Sequence, residues 1–213
     1  EDIWEPDVVE CLEESGADLI VAMNASPFDS TKPERRLQNV IARGVETNLP
    51  IIYVNMVGGQ DELVYDGGSF AVNTGGKLAC CLPSFSESVL VVTAQKSMGV
   101  LNLTGQLSPP DSDLTALYRG LCLGLRDYVQ KNGFPGVVLG LSGGIDSALV
   151  AAIAVDALGA HAVRGAMMPS AYTSQKSRDD ASKLASALRI RLDTVPIAPA
   201  MTALDEMLGD QFV

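Results

Sequence analysis

The residues of this 213-residue chain with the most chemistry in them are Gly140-Leu141-Ser142-Gly143-Gly144-Ile145-Asp146-Ser147. Two adjacent glycines let the backbone approach an anion closely and take up positive φ, which turns consecutive N–H groups toward one point. The apolar run 136–141 before them predicts a strand, and residues 146–158 after them predict a helix. The first turn of that helix adds unpaired amides and the positive end of its dipole to the same point. Ser142 and Ser147 add hydroxyl donors. Asp146 repels a bare phosphate, so a carboxylate at that position predicts Mg²⁺ and a metal-bound polyphosphate. A glycine turn that only caps a helix is the alternative, with Asp146 as a first-turn acid stabilised by the dipole. A bare turn, however, has no use for a carboxylate between two hydroxyls. The Walker P-loop is excluded, because its lysine is missing.

The elements around this loop form a regular pattern. Leu114, Leu117, Leu121 and Leu125 predict one apolar face of a helix capped by Asp111, Ser112 or Asp113 and ended by Gly133 and Pro135. Beyond the phosphate loop come a strand over 162–168, a helix with Ala181, Leu184, Ala185 and Leu188 inward, and a strand over 189–197. Ser177 and Asp180 supply a capping box for that helix. Strand, helix, strand, helix, strand with short connections predicts a right-handed, doubly wound parallel sheet with ligands at the carboxyl ends of its strands.

The first half reads differently. A helix starts at Pro6, with Val8, Val9 and Leu12 on its apolar face and Gly16 as its stop, and a strand follows over 18–24. A second helix over 33–48 carries Leu37, Val40, Ile41 and Val45 on one face and leads to a strand over 51–56. Glycine pairs then punctuate shorter strands ending at 89–93. Over 94–112 the periodicity fades, and the boundary is placed there. The domains are thus 1–93, a linker over 94–112, and 113–213.

Composition excludes several classes of function. A formal net charge of −11 argues against nonspecific nucleic-acid binding and leaves any phosphate to local amides and cations. No stretch approaches the ~20 apolar residues of a membrane span, and the charged start does not resemble a signal peptide, so a cytoplasmic protein without membrane association is expected. Four cysteines, Cys11, Cys80, Cys81 and Cys122, lack metal-site spacing and read as buried free thiols. His161 is the sole histidine, and with no Gly-x-Ser-x-Gly elbow a Ser-His-Asp triad is improbable; it reads as a surface residue.

Ser-Gly-Gly-x-Asp-Ser in a strand-to-helix context resembles the signature of the ATP pyrophosphatases, which cleave ATP between its α and β phosphates and adenylate a substrate. Met167-Met168-Pro169-Ser170-Ala171-Tyr172-Thr173-Ser174, with Ser177, Asp180-Ala181 and Leu184-Ala185, resembles the corresponding segment of NAD synthetases. In the first half, Glu1-Asp2-Ile3-Trp4, Asn24-Ala25-Ser26-Pro27-Phe28, Asn55, Gly58 and Asp66-Gly67-Gly68-Ser69 resemble the later part of a nitrilase-like glutaminase domain. Together they resemble the glutamine-dependent NAD synthetases.

That resemblance implies an α/β protein: the later part of a nitrilase-like α-β-β-α sandwich, then the first part of a doubly wound ATP pyrophosphatase domain. It implies ATP-dependent amidation of deamido-NAD to NAD through an adenylated intermediate, with ammonia from glutamine. ATP is expected on Gly140 through Ser147, Mg²⁺ on Asp146, and the glutamine carboxylate on Ser26 and Lys32, for which a surface lysine is the alternative. Adenine is expected near Met167 and Met168, with core packing as the alternative. Ser170 and Ser174 read as loop or capping residues, and Trp4 and Asn24 as packing and bonding near the glutamine pocket. No catalytic residue of the glutaminase is expected within the chain: its cysteine belongs just before Glu1, its Glu and Lys partners lie further upstream, and the rest of the dinucleotide site lies after Val213. The chain therefore reads as an internal portion of a larger homo-oligomeric enzyme. A nitrilase-type amidase and a non-catalytic ATP-binding fragment are the alternatives.

Overall fold

A computed structural model describes residues 2–209, which fall into two compact units divided between Gly124 and Leu125. Both units mix helices and parallel strands, the fold class expected. Among the described residues no helix is long and apolar enough to cross a membrane.

In the first unit, β1 (Ile20–Asn24) and β2 (Ile51–Asn55) pair in parallel from Ile20 with Ile51 to Asn24 with Asn55. The crossover between them is α2 (Lys32–Thr47), and α1 (Pro6–Glu14) precedes β1. After a hairpin of β3 (Val57–Gln60) and β4 (Leu63–Asp66), the chain adds β5 (Phe70–Val72) and β6 (Leu78–Cys81) antiparallel, giving the order β1-β2-β5-β6. Alternate residues on one sheet face, including Ile51, Tyr53, Phe70 and Val72, join Val9 and Val40 from the helices in a core. Burying each such side chain contributes about 1.5–3 kcal/mol. The Tyr53 and Phe70 rings stack at 5.1 Å between centroids. Burial pushes the Tyr53 hydroxyl above its ordinary pKa.

The expected helix faces are narrower in the fold. On α1 only Val9 is buried, while Val8 and Leu12 are exposed, and Val45 on α2 is exposed as well. Each helix touches the sheet along one line, and these residues lie to its side. The expected strand over 89–93 is absent apart from Thr93, with Val89 and Val91 turned outward.

The stretch 94–112 is only in part the linker expected. β7 (Thr93–Ser97) and β8 (Val100–Thr104) form a hairpin closed by Met98 and Gly99, both at positive φ. That is the backbone of a primed two-residue turn, which matches strand twist. Met is an unusual residue there, and β7 is exposed on both faces, so neither turn chemistry nor alternation marks the hairpin. It is tied to the first unit through Asn73, which bonds both main-chain groups of Leu103 at 2.7 and 2.9 Å.

Helix α3 (Asp113–Lys131) starts as expected, with Ser112 Oγ accepting from Thr115 N. Its leucine stripe faces inward only at Leu125, which packs on a core, while Leu114, Leu117 and Leu121 are exposed and Leu123 and Val129 are buried. Gly120 decides the face. It packs against the edge-on Phe28 and Phe85 rings, where an added Cβ would lie 3.3 Å from Phe85.

The second unit holds β9 (Val137–Gly140), α4 (Ile145–Leu158), β10 (Val163–Met167), α5 (Gln175–Leu188), β11 (Arg191–Thr194) and α6 (Ala198–Leu208). The strands are parallel in the order β11-β10-β9. Stepping one way with right-handed crossovers puts α4 and α5 on one face of the sheet. Ala151 and Ala154 of α4 meet Ala181 and Ala185 of α5 in a core that includes Leu141 and Val163. The expected inward residues of α5 are there, and α6 is an element the periodicity did not show. The cap of α5 is Ser174 rather than Ser177, because Ser174 Oγ accepts from Ser177 N at 3.1 Å.

Asp193 on β11 bonds Arg164 and Arg191, and these contacts, the Arg164 hydrogen bond first, hold its carboxyl below the ordinary carboxylate range. A depressed folded pKa stabilises above the ordinary range and loses that contribution as pH falls through the depressed value. The stability difference between the native chain and Asp193→Asn, read by urea melts, should therefore shrink on acidification. It should also shrink in 1 M salt, since the pair is half-exposed. A gap that widens at low pH would contradict this.

Candidate functional site

The phosphate-loop residues sit where β9 ends and α4 begins. β9 is held to its neighbour through the last strand residues, and Leu141 N then donates to Ala166 O at 2.9 Å. Past Leu141 the chain leaves the sheet and turns back on itself. Gly144 N donates to Ser142 Oγ at 3.2 Å, Ser142 N donates to Ser147 Oγ at 3.3 Å, and Ser147 Oγ donates to the Gly144 carbonyl at 3.0 Å. The two hydroxyls lie 3.1 Å apart. Ser142 and Ser147 thus clamp the loop at both ends. Gly143 carries φ +79°, and any Cβ there would overlap the Ser177 carbonyl at the start of α5. Gly144 is the N-cap of α4 with no side-chain cap, so the first-turn amides remain available.

Asp146 and Ile145 are exposed at this helix start. Among the described residues no three His, Cys, Asp or Glu side chains gather into a metal cage. One carboxylate beside a helix start is still a donor set that suits Mg²⁺ once phosphate is bound, since Mg²⁺ takes one or two carboxylates and fills its remaining positions with phosphate oxygens and water.

The loop forms one wall of a cleft of about 470 Å³ at the carboxyl ends of β9 and β10. Gly140, Leu141 and Ser142 line one side. Met167, Met168, Tyr172, Thr173 and Ser174 line the other, with Arg178 behind them. Met168 is exposed and Met167 packs on the core of the unit. Ser170 is a turn residue, its Oγ accepting from Tyr172 N at 3.2 Å. His161 is exposed in a short 3-10 helix.

In the first unit, Ser26 and Lys32 follow the carboxyl end of β1. Ser26 is buried, and the Asn55 side chain holds its main chain at both groups: Oδ1 accepts from Ser26 N at 2.9 Å, and Nδ2 donates to Ser26 O at 3.3 Å. Asn55 Nδ2 also lies within reach of the Gly67 carbonyl and of Asp66 Oδ1. Asp66 in turn pairs with Arg36 of α2 at 2.6 Å, with both side chains 3% exposed or less. Lys32 is half-buried as the first residue of α2, one helical turn before Arg36. The turn leading into α2 is set by Asp29, which accepts from the Thr31 amide and hydroxyl at 2.8 Å. The Thr31 amide and the nearby Lys32 and Arg35 charges keep the Asp29 carboxyl below its usual range. Trp4 packs on the core of this unit. Asn24 continues β1 in register with Asn55, and its Oδ-bearing side chain has a buried amide nitrogen without a partner among the described residues.

Arg36, Asp66 and Arg178 are the residues that sequence reasoning missed as supports. Asp66 was visible only as part of an Asp-Gly-Gly-Ser segment. Nothing local tells that an arginine on a polar helix face will be buried, because its partner is 30 residues away.

Two families match the chain: carbon-nitrogen hydrolases over residues 1–101 and NAD synthases over residues 117–212. The glutamine-dependent NAD(+) synthetase of Rhodobacter capsulatus is 47% identical over 98% of this chain and 38% of its own length. That of Synechocystis sp. is 45% identical over 94% of this chain and 36% of its own length. The chain belongs to the glutamine-dependent NAD synthetase family. It spans about two fifths of the length of these relatives. A solved glutamine-dependent NAD+ synthetase from Acinetobacter baumannii, in complex with ADP, matches 99% of this chain and 40% of its own with a TM-score of 0.92 and 39% identity. The fold class is thereby that of the family, with a nitrilase-like portion before an NAD synthase portion.

In this chain the four cysteines are free, as expected, but they are not uniformly buried: Cys80 is buried and Cys11 is exposed on α1. Burial pushes the Cys80 thiol above its ordinary pKa. Cys11 lies on α1 among the acidic residues Glu10, Glu13 and Glu14.

Proposed function

We propose that this chain supplies the ATP-binding loop and the glutamine-carboxylate contacts of an enzyme that amidates deamido-NAD to NAD. The observation that carries this reading is the phosphate loop: two serines clamp it, a positive-φ glycine is pressed against α5, and a carboxylate stands in the first helical turn. In the reaction, the carboxylate of deamido-NAD attacks the α-phosphorus of ATP and pyrophosphate leaves. Ammonia from glutamine then displaces AMP to form the amide. A carboxylate needs this activation because oxide is a poor leaving group and AMP a good one. The protein's task in the first step is positioning and charge neutralisation, with no protein nucleophile.

In this reading the loop amides and the Ser142 and Ser147 hydroxyls would hold phosphate oxygens, and Asp146 would hold Mg²⁺, which supplies charge neutralisation when bound. Ser26 and Lys32 are assigned to the glutamine carboxylate, where a cation forms a charge-assisted pair. The domain division follows the same reading: the glutaminase portion first and the synthetase portion from residue 113, with the β7-β8 hairpin assigned to the former. A cytoplasmic homo-oligomer completes the proposal, and sedimentation of the purified chain measures the assembly.

The deciding experiment measures pyrophosphate released from ATP with deamido-NAD, first with ammonia and then with glutamine. Release that depends on deamido-NAD supports the synthetase. Glutamine hydrolysis without it points to an amidase, and ATP binding without turnover to a binding fragment. Asp146→Asn should lower adenylation on the order of a hundredfold, the scale of losing one preorganised electrostatic contact, while glutamine hydrolysis in the complete enzyme stays unchanged. Equal loss of both activities would remove this division of labour.

A further inference from the structure

The cleft beside the phosphate loop has one cation among the described residues that line it, Arg178 on the first turn of α5. Its Nη2 donates to the Ser170 and Thr173 carbonyls, each at 3.3 Å. Those carbonyls belong to one closed turn: Thr173 N donates to Ser170 O at 3.2 Å, and Ser170 N donates to Thr173 Oγ1 at 3.0 Å. Arg178 Nε is buried with no partner among the described residues. The guanidinium is therefore held by the turn on one edge, with its charge kept at the wall of the cleft. The same helix start carries Ser177, whose carbonyl fills the space beside Gly143.

We infer that Arg178 is a positioning residue of the nucleotide cleft, fastening the 170–174 turn to the helix start against which the phosphate loop is pressed. It acts through the turn rather than by touching the nucleotide. One guanidinium nitrogen, Nη2, bonds both carbonyls at once and holds their spacing in the plane of a rigid group, whereas an ammonium turns freely on its stem. The inference rests on the ATP reading of the loop, and its consequence is a cleft whose two walls are set by one helix terminus.

The test uses the 213-residue chain with Mg²⁺ and ATP as the probe, comparing the native form with Arg178→Ala and Arg178→Lys. Calorimetry gives Kd, hydrogen exchange by mass spectrometry reads residues 170–174, and circular dichroism verifies that helix content is kept. Arg178→Ala should speed exchange in the turn and raise Kd about tenfold, the scale of a lost charged hydrogen bond. Arg178→Lys should recover both in part and together. Faster exchange with unchanged Kd would overturn the inference, since the turn would then be irrelevant to the nucleotide. A raised Kd with unchanged exchange would also overturn it and make Arg178 a direct ligand. Absence of ATP binding by the native chain is a different failure, that of the ATP reading itself, and the inference falls with it.

Discussion

Gly143→Ala should weaken binding of Mg²⁺-ATP to the chain by on the order of a hundredfold, the effect of displacing a positioned site by about 1 Å. Two causes act together. The φ of +79° costs a residue with a Cβ about 1–2 kcal/mol. The Cβ would also overlap the Ser177 carbonyl, which is backbone and cannot swing aside as a side chain does. The loop, the start of α5 or both must shift. Calorimetry with Mg²⁺-ATP reads the loss, and Gly144→Ala is the control. Gly144 already has φ −89°, and an added Cβ there meets only Ser142 Oγ, at 3.3 Å, so the smaller effect is expected at that neighbour. Equal losses at both positions would show that the loop tolerates no side chain anywhere and that contact with α5 is not the reason.

The second large effect is expected in the first unit. Arg36→Met or Asp66→Leu should each destabilise by about 3–5 kcal/mol, because either change leaves the other charge buried and unpaired. The pair lies at 2.6 Å with almost no solvent exposure. Replacing both residues should cost less than either single change, since two matched apolar groups leave no buried charge behind. Urea unfolding of the three variants provides the double-mutant cycle. Additive losses would mean that the two side chains stabilise the unit separately. Asp66 also meets Asn55, the residue that holds Ser26, so the singles should disturb the Ser26 segment as well, seen as faster hydrogen exchange there.

The strands and helices of the second unit were legible almost throughout. Gly144 and the Ser174 cap mark the starts of α4 and α5, and Gly159 the end of α4, whereas α5 ends at Arg189 and α6 begins after Ile197 with neither glycine nor a side-chain cap, which is why α6 was missed. The loop between β9 and α4 was readable because glycine and serine in that order break a strand and start a helix. The glutaminase portion was less readable. Its short strands are punctuated by glycine pairs, and β7 and β8 lack an inward-facing stripe apart from Leu103. In α3 the periodicity identified a leucine face but not its surroundings. The face turned to the Phe28-Phe85 pair is the one that bears Gly120, since a small residue lets a helix approach rings closely.

The sequence by itself determined the fold class, the family resemblance and the strand-loop-helix that carries Ser142, Asp146 and Ser147, because each depends on residue types at short spacing. The tertiary structure decided which side chains support those residues. Arg36 with Asp66, Asn55 with Ser26, and Arg178 with the turn at 170–174 depend on the meeting of one element with another. Polar side chains become positioning groups only when folding removes them from water and leaves them one set of partners.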